Sequence, residues 1–135
     1  MAVQLSVSVR NARLDAIETA IGASAVLKIR TGAAPADVAT ADSGTVLASL
    51  TLPSDWLAAA SSGSKAKSGT WQDTSADATG TAAHFRIYAS DGTTAHLQGT
   101  VTVTGGGGDL TLDNVSIASG QSVTISSFSL TDGNS

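Results

Sequence analysis

The chain contains no cysteine, and this absence excludes disulfide bonds, thiolate metal ligands and cysteine nucleophiles. Charged residues are also few, at 13% of the 135 positions, and aromatic residues make up only 4%. No apolar run reaches the ~20 residues that a helix needs to cross a bilayer, and the first residues lack the basic and then apolar pattern of a signal peptide. We expect one domain of ordinary size, with no membrane partner and no export signal.

The charge balance argues against nucleic acid as a direct partner. With 7 basic and 11 acidic residues the net charge is -4, and the sequence has no basic stripe that could neutralise a phosphate backbone. His84 and His96 lack the neighbours of a histidine metal motif, and we expect both on the polar, solvent-facing side of their strands. The acidic residues lie mostly in loops and form no general acid–base pair. The sequence therefore predicts a protein that is not an enzyme, with no catalytic residue, metal, cofactor or small-molecule substrate.

A glycine run, Gly105–Gly108, is the segment that comes nearest to a known ligand-binding loop. It is followed by Asp109 and Leu110 instead of the Gly-Lys-Ser/Thr ending of a phosphate-binding loop, and no helix is predicted after it. Asp109 and Asp113 lack the further carboxylates that a calcium site requires. We interpret the run as a flexible joint between two strands.

Short alternating strands separated by turns account for most of the chain. The alternation is clearest from Ala95 to Leu130, and strands are also predicted over Ala25–Arg30 and Thr45–Leu52, with a short one at Trp71. The segments between them are predicted as loops, namely 31–44, 61–69, which is basic and flexible, and 74–80. This pattern predicts a mainly β protein, folded as a single antiparallel β-sandwich or jelly-roll-like domain.

One helix is predicted near the amino terminus, from about Ser8 to Ala20, with Gly22 as its stop signal. Apolar and polar residues recur there at intervals of three and four, which gives the helix a buried stripe and a solvent-facing side. The stripe contains Val7, Arg10, Leu14, Ile17 and Ile21, and the solvent-facing side contains Arg13, Asp15 and Glu18. The stripe can dock on its own sheet or on a neighbouring subunit, and we favour its own core.

The residues before the helix, Ala2–Val9, alternate as a strand and enter the helix with no turn residue between them. We interpret residues 1–22 as an amino-terminal arm and helix and residues 23–135 as the β-sandwich domain, the two forming one structural unit. The arm is expected to add a strand to an exposed sheet edge of a neighbour.

A second short helical element is predicted where Pro53 ends a strand, with Ser54 capping one turn through Asp55–Leu57. Trp56, within that turn, either closes the core or anchors an interface. The candidate interface residues are Val3, Leu5, Val7, Arg10 and Trp56.

The register of the hairpin around Asp91-Gly92 is chosen by asking which strand pairing separates apolar from polar side chains on the two faces of the hairpin. A two-residue turn would mix apolar and polar side chains across the strands, whereas a three-residue loop, Asp91–Thr93, separates them. In that register Phe85 covers the gap at Gly99. The predicted pairs are Phe85 with Gly99, Arg86 with Gln98, Ile87 with Leu97 and Tyr88 with His96.

A last hairpin is predicted from matching changes of the buried face at Asp113-Asn114 and at Ser126-Ser127. Such paired kinks occur at the corners of β-sandwiches. The predicted loop is Ala118–Ser122, and the predicted pairs are Ile117 with Val123, Val115 with Ile125, Leu112 with Phe128 and Leu110 with Leu130.

Several blocks spread over nearly the whole chain resemble a group of small proteins encoded by tailed bacteriophages and prophages. These blocks are RNARLDAIETAIGASAVLKIRTGAAPA, LTLPSDW, SGTWQD, FRIYASDGTTAHLQGTV and TGGGGDLTLDNVSIASGQSVTI. The resemblance implies a virion structural protein that is made in the bacterial cytoplasm and built into the particle in many copies. It carries over no catalytic residues, and it implies other virion proteins and copies of the same chain as partners.

Within that group of functions, a head decoration or cement protein that stabilises the capsid is the first expectation. The alternatives are a tail or baseplate component, or a carbohydrate-binding module that attaches the particle to its host. Sugar sites usually need exposed aromatic platforms, and this chain has few aromatic residues to spare after its core is filled.

Overall fold

The computed structural model describes residues 3–132, and within them the chain is mainly β with a single helix, as predicted. The elements are α1 (Val7–Ile21), β1 (Val26–Arg30), β2 (Val46–Thr51), β3 (Ser64–Ala66), β4 (Trp71–Asp73), β5 (Gly80–Thr81), β6 (His84–Tyr88), β7 (Ala95–Val103), β8 (Leu110–Leu112), β9 (Ser116–Ile117), β10 (Val123–Ile125) and β11 (Ser129–Thr131).

The main sheet has five strands in the order β2-β1-β6-β7-β8. Its neighbouring strands are antiparallel except for β7 and β8, which run parallel, with Val101 beside Leu110. The sheet is therefore mixed, and the expectation of an antiparallel arrangement throughout is wrong at this edge.

The parallel pair depends on the glycine run that joins its strands. Parallel neighbours usually need a connection of a dozen or more residues, but here the chain returns through Thr104–Asp109 alone. Gly105 and Gly107 have φ values of 88° and 82°, and a Cβ added at Gly106 or Gly108 would lie 2.8 Å from the side chain of Thr102. The run is therefore a compact turn packed against β7, and our interpretation of it as a flexible joint is wrong.

Three two-stranded sheets complete the architecture, and they form a nested series. β9 pairs with β5, β10 with β4 and β11 with β3, all antiparallel, so successive later strands pair with successively earlier ones. In these three sheets Gly80 pairs with Ile117, Asp73 with Val123 and Ala66 with Ser129. The pairing register therefore shifts by one residue from each small sheet to the next.

This series replaces the predicted last hairpin, whose four pairings are wrong. Alternation correctly places Leu112, Ile117, Val123 and Phe128 in the interior, but it fixes only the face of a strand. It does not identify the partner. The reversal after β9 is a real turn, in which the Gln121 N–H donates to the Ala118 carbonyl at 3.0 Å.

The register of the β6–β7 hairpin is confirmed at three of its four predicted pairs: Phe85 with Gly99, Arg86 with Gln98 and Ile87 with Leu97. A bulge after Ile87 places Tyr88 opposite Ala95 instead of His96. Phe85 covers Gly99 as expected, because its Cε1 atom lies 2.8 Å from the point where a Cβ on Gly99 would be.

Aromatic side chains join the main sheet to the small sheets in one core. Trp56, Trp71, Phe128 and Phe85 form a chain of ring contacts with centroid separations of 6.0, 5.4 and 5.8 Å. Trp56 is 0% exposed, so of the two alternatives for this residue the core position is the one observed.

Two local predictions in the neighbouring segment are wrong. The residues before Trp56 form a bend and no helical turn, and the chain then runs extended so that Leu57 bridges to Lys67. The segment 61–69, predicted to be a flexible basic loop, contains β3, in which Lys65 is buried. Both segments are fixed by burial of one large side chain, which local propensity does not register.

We predict that Gly99→Ala lowers the free energy of unfolding by about 1–3 kcal/mol, because the added methyl group overlaps Phe85 and Asp109. Urea denaturation of the variant measures this loss. His96→Ala on the same strand is the control, since His96 is exposed and surface changes stay within about 0.5 kcal/mol. Equal stability of both variants would show that the strand shifts freely.

Candidate interaction site

The amino-terminal segment and α1 form the candidate interaction site, and α1 begins at a side-chain cap. The Ser6 hydroxyl accepts a hydrogen bond from the Val9 N–H at 3.2 Å, and the Gly22 N–H closes the other end on the Glu18 carbonyl at 2.9 Å. The strand predicted over Ala2–Val9 is therefore wrong from Val7 onward, because the cap starts the helix there. Residues 3–6 carry no strand, and Ala2 lies outside the described residues.

Polar contacts hold α1 on the domain. The Lys65 ammonium, 2% exposed, lies 2.7 Å from Asp15 Oδ1 and 3.4 Å from Glu18 Oε1. Glu18 also accepts the Leu57 N–H at 2.7 Å, and Asp15 accepts the Ala60 N–H at 3.1 Å. Asp15 is exposed, as expected for the solvent-facing side of the helix, whereas Glu18 is half-buried and its solvent-facing assignment is wrong. The buried ammonium of Lys65 needs these counter-charges.

The electrostatics of this contact favour the charged forms of both partners. Burial opposes the charge of Lys65, but the hydrogen bond to Asp15 and the charge of Glu18 outweigh it, so the pKa of Lys65 is raised. The hydrogen bond from Lys65 lowers the pKa of Asp15, and the bond from the Ala60 N–H adds to this effect.

The five candidate interface residues lie in different environments. Val3 and Val7 are exposed, at 81% and 46%, whereas Leu5 is half-buried. Arg10 is half-buried and donates to the Asp132 carbonyl at 3.1 Å, which fixes the start of α1 beside the end of β11. Trp56 is inside the core. Of the five, only Val3 and Val7 are therefore exposed, and Trp56 is removed from the candidate surface.

A second cluster of charges lies on the other face of the main sheet, under the loop 31–44. The Asp42 carboxylate accepts hydrogen bonds from Arg30 at 2.9 Å, Arg86 at 2.9 Å and the Tyr88 hydroxyl at 2.8 Å. Burial raises the pKa of Asp42, but the Tyr88 hydrogen bond and the two arginine charges outweigh it, so the pKa is lowered.

Arg86 is the centre of this cluster and is 2% exposed. Besides Asp42, its guanidinium donates to the carbonyls of Asp37 and Thr40 and to the side-chain oxygen of Gln98, at 2.8–3.1 Å. All three guanidinium nitrogens therefore donate at least one hydrogen bond. The cluster anchors the loop 31–44 to the sheet.

The two histidines have opposite environments. His84 is 0% exposed, with Nδ1 2.7 Å from the Gly32 carbonyl, while His96 is exposed as expected. The carbonyl can only accept, so Nδ1 carries the proton. The surface position expected for His84 is wrong, because the loop 31–44 covers the polar side of β6.

Sequence reasoning did not identify Asp42 and Lys65 as organising residues. A signal for Asp42 was present, since β6 carries cationic or polar side chains on one side at His84, Arg86 and Tyr88. Such a row needs an acidic partner if it is buried. Nothing local distinguishes Lys65 from the other two lysines, Lys28 and Lys67, which are half-buried.

The described residues 3–132 contain no group of three or more histidine or carboxylate side chains placed to hold a metal ion. The Asp109 carboxylate is used locally, since it accepts from the N–H and hydroxyl of Thr100 at 2.9 and 3.1 Å. Within the same residues, no helix is long and apolar enough to cross a membrane.

Comparison of the chain with protein-family models, curated proteins and solved structures gives no match. The function is therefore inferred from the residues of this chain.

We predict that Asp42→Asn lowers the free energy of unfolding at neutral pH by about 1–3 kcal/mol. This is below the loss of about 3–5 kcal/mol for breaking a fully buried pair, because Asp42 is 37% exposed and solvent screens the interaction. Denaturation by urea measures the loss. Asp55→Asn, at an exposed carboxylate, is the control.

The same variant has a pH signature. A lowered folded-state pKa stabilises the wild type above the ordinary aspartate value of 3.8, and this stabilisation is lost as the pH falls through the lowered value. Asp42→Asn lacks that contribution, so we expect its stability to fall less steeply below about pH 4. Parallel acid profiles of the two proteins would contradict the role given to Asp42.

We also predict that substitutions of the two histidines differ in their effect on the stability of the protein. His84→Gln removes a buried hydrogen bond and leaves the Gly32 carbonyl unpaired, at a cost of about 1–3 kcal/mol. His96→Gln stays within about 0.5 kcal/mol. Thermal denaturation of the two single variants tests this, and a neutral His84→Gln would mean that the contact with Gly32 contributes nothing.

Proposed function

We propose that this protein is a bacteriophage virion structural protein, specifically a head decoration or cement protein that stabilises the capsid through protein–protein contacts. The resemblance of its sequence blocks to small phage and prophage proteins supports the virion assignment. It is made in the host cytoplasm, is assembled into the particle, and has other virion proteins and copies of itself as partners.

The observation that carries the assembly role is the exposure of apolar side chains around the start of α1. Val3, Val7 and Val9 are 81%, 46% and 44% exposed, while the two buried charge clusters are engaged within the domain. Exposed apolar side chains grouped beside polar surroundings are typical of protein–protein contact sites. Many weak contacts of this kind add up when copies are repeated on one particle.

The finer architecture belongs to the same proposal. The main sheet and the small sheets share one aromatic core, which supports a two-layer sandwich of jelly-roll type.

A tail or baseplate component would use the same contacts and is the alternative location. A carbohydrate-binding module has less support, because Trp56, Trp71, Phe85, Tyr88 and Phe128 are all at most 7% exposed. These are all the aromatic residues of the chain, so no aromatic side chain is available as a sugar platform.

We predict that a chain shortened to begin at Ser6 folds normally but is incorporated poorly into particles. The cut retains the Ser6 cap, unlike a cut after Ser8, which would destabilise α1 by about 1 kcal/mol. Quantifying the protein in purified particles measures incorporation, and a thermal melt of the isolated chain verifies folding. The full-length variant Gln4→Ser is the control.

Two outcomes would contradict the proposal at different levels. Normal incorporation of the shortened chain would remove the assembly role of the arm. Antibody labelling that finds the full-length protein on neither head nor tail would remove the virion assignment, and labelling of the tail alone would replace the head location.

A further inference from the structure

His84 is a buried titratable side chain in which only one of the two ring nitrogens is bonded. Nδ1 donates to the Gly32 carbonyl at 2.7 Å, whereas Nε2 is buried and has no hydrogen-bond partner among residues 3–132. Buried polar atoms without a partner are uncommon in folded proteins, so this one calls for an explanation. Since Nδ1 carries the proton, Nε2 holds the lone pair and is the atom that a second proton would join.

The charged groups nearest to His84 in the sheet oppose a second proton. On β1, Arg30 is the direct partner of His84, and on β6 Arg86 lies two residues further on the same face. The Asp42 carboxylate lies 2.9 Å from a guanidinium nitrogen of each arginine. The cluster therefore already has two cations for one anion, and a protonated His84 would add a third cation.

The other elements packed against His84 supply no counter-charge at Nε2. On β7, the residue opposite His84 is the uncharged Thr100. Asp109 is bonded to Thr100, and Asp37 accepts hydrogen bonds within its own loop. The remaining titratable side chains of β1, β6 and β7 are Lys28, which donates to the Gly92 carbonyl, Tyr88, which is bonded to Asp42, and His96, which is exposed.

The loop 31–44, which covers this side of β6, is attached to the sheet in two parts. In the first part, the carbonyls of Gly32 and Pro35 accept from His84 and Gln98 at 2.7 and 2.8 Å. The second part is held by the arginine contacts of Asp42. Only the first attachment uses a side chain whose ordinary pKa is near neutrality.

Protonation of Nε2 would change the balance of forces at this first attachment. Nδ1–H would still donate to Gly32, and more strongly, because a charged donor makes the stronger hydrogen bond. This gain is smaller than the cost of keeping an imidazolium buried beside Arg30 with a second donor, Nε2–H, that has no acceptor. Release of the first part of the loop admits water to the ring and removes that cost.

We propose that protonation of His84 at Nε2 releases residues 31–36 of the loop from β6, which makes His84 a pH switch for the cover of this strand. The second part of the loop stays attached. The pKa of Asp42 is lowered by the Tyr88 hydrogen bond and the arginine charges, so this carboxylate keeps its charge until the pH falls below the ordinary value of 3.8. The switch does not depend on where the protein lies in a particle.

Residue-resolved amide exchange, measured by NMR on the full chain at about pH 7.5 and about pH 5, tests the proposal. The reporter is the Thr31 N–H, which donates to the Thr45 carbonyl at 3.1 Å at the base of the loop. After correction for the intrinsic effect of pH, we expect its protection to fall about tenfold at the lower pH. The limit for one histidine of ordinary pKa about 6.5 is about thirtyfold. The Leu52 N–H, bonded to Ala25 at 2.8 Å in the core, is the reference and should change less than about twofold.

His84→Asn is the matched variant, because its amide nitrogen takes the place of Nδ1 and donates to Gly32 without taking up a proton. We expect the protection of Thr31 in this variant to change less than about twofold. His96→Asn removes the other histidine and should keep the tenfold fall. The chain has two histidines and no cysteine, so no other type of side chain has an ordinary pKa between about 5 and 8.

Nitrogen-labelled histidine gives a second measurement that needs no substitution. The ring nitrogen shifts of His84 should report protonation over the same pH interval in which Thr31 loses protection.

Four results would overturn the proposal. The first is equal protection of Thr31 at both pH values, and the second is an equal fall in His84→Asn. The third is a charged His84 ring with Thr31 still protected, which would show that the closed loop tolerates the imidazolium. The fourth is an equal fall at Leu52, which would mean that acid destabilises the whole domain and does not release the loop.

Discussion

Burial of β6 on both of its faces is the constraint on which the rest of the fold depends. All five residues of this strand are buried, although only alternate ones are apolar. Phe85 and Ile87 face the aromatic core, so His84, Arg86 and Tyr88 must be covered and neutralised on the other side. The loop 31–44 provides the cover, and Asp42 provides the charge for two arginines. A long loop is thereby fixed, and β1 and β7 are held in register around the central strand.

The helix is attached by a related principle. Leu14 and Ile21 are its buried apolar residues, which is a small contribution for an element of this length, and the rest of the attachment comes from Lys65 with its two carboxylates. Paired buried charges contribute more to a defined position than to net stability. The consequence is that the start of α1 is held at a fixed point beside the end of β11.

The sequence predicted those features that depend on local patterns. The helix, the first two strands and three pairs of the β6–β7 register follow from spacing and alternation, because each signal lies within a few residues. The partners of β8–β11 could not be predicted. Alternation at Leu112 or Val123 indicates which face of the strand is buried, but it does not indicate which strand lies beside it. The same limit applies to the site. The interface expectation for Val3 and Val7 stays a prediction, and the environments of Lys65, His84 and Trp56 depend on residues far away in the chain.

The nested pairing of the small sheets has a consequence for the order of folding. Pairing β5 with β9 closes a large loop, residues 82–115, and bears most of the entropic cost of chain closure. Once it is closed, β4 with β10 and β3 with β11 need only short further loops, so the ribbon can zip outward from its inner end. The β6–β7 hairpin, with its local contacts, is the natural first structure within the loop. The outermost strand, β11, joins last in this order.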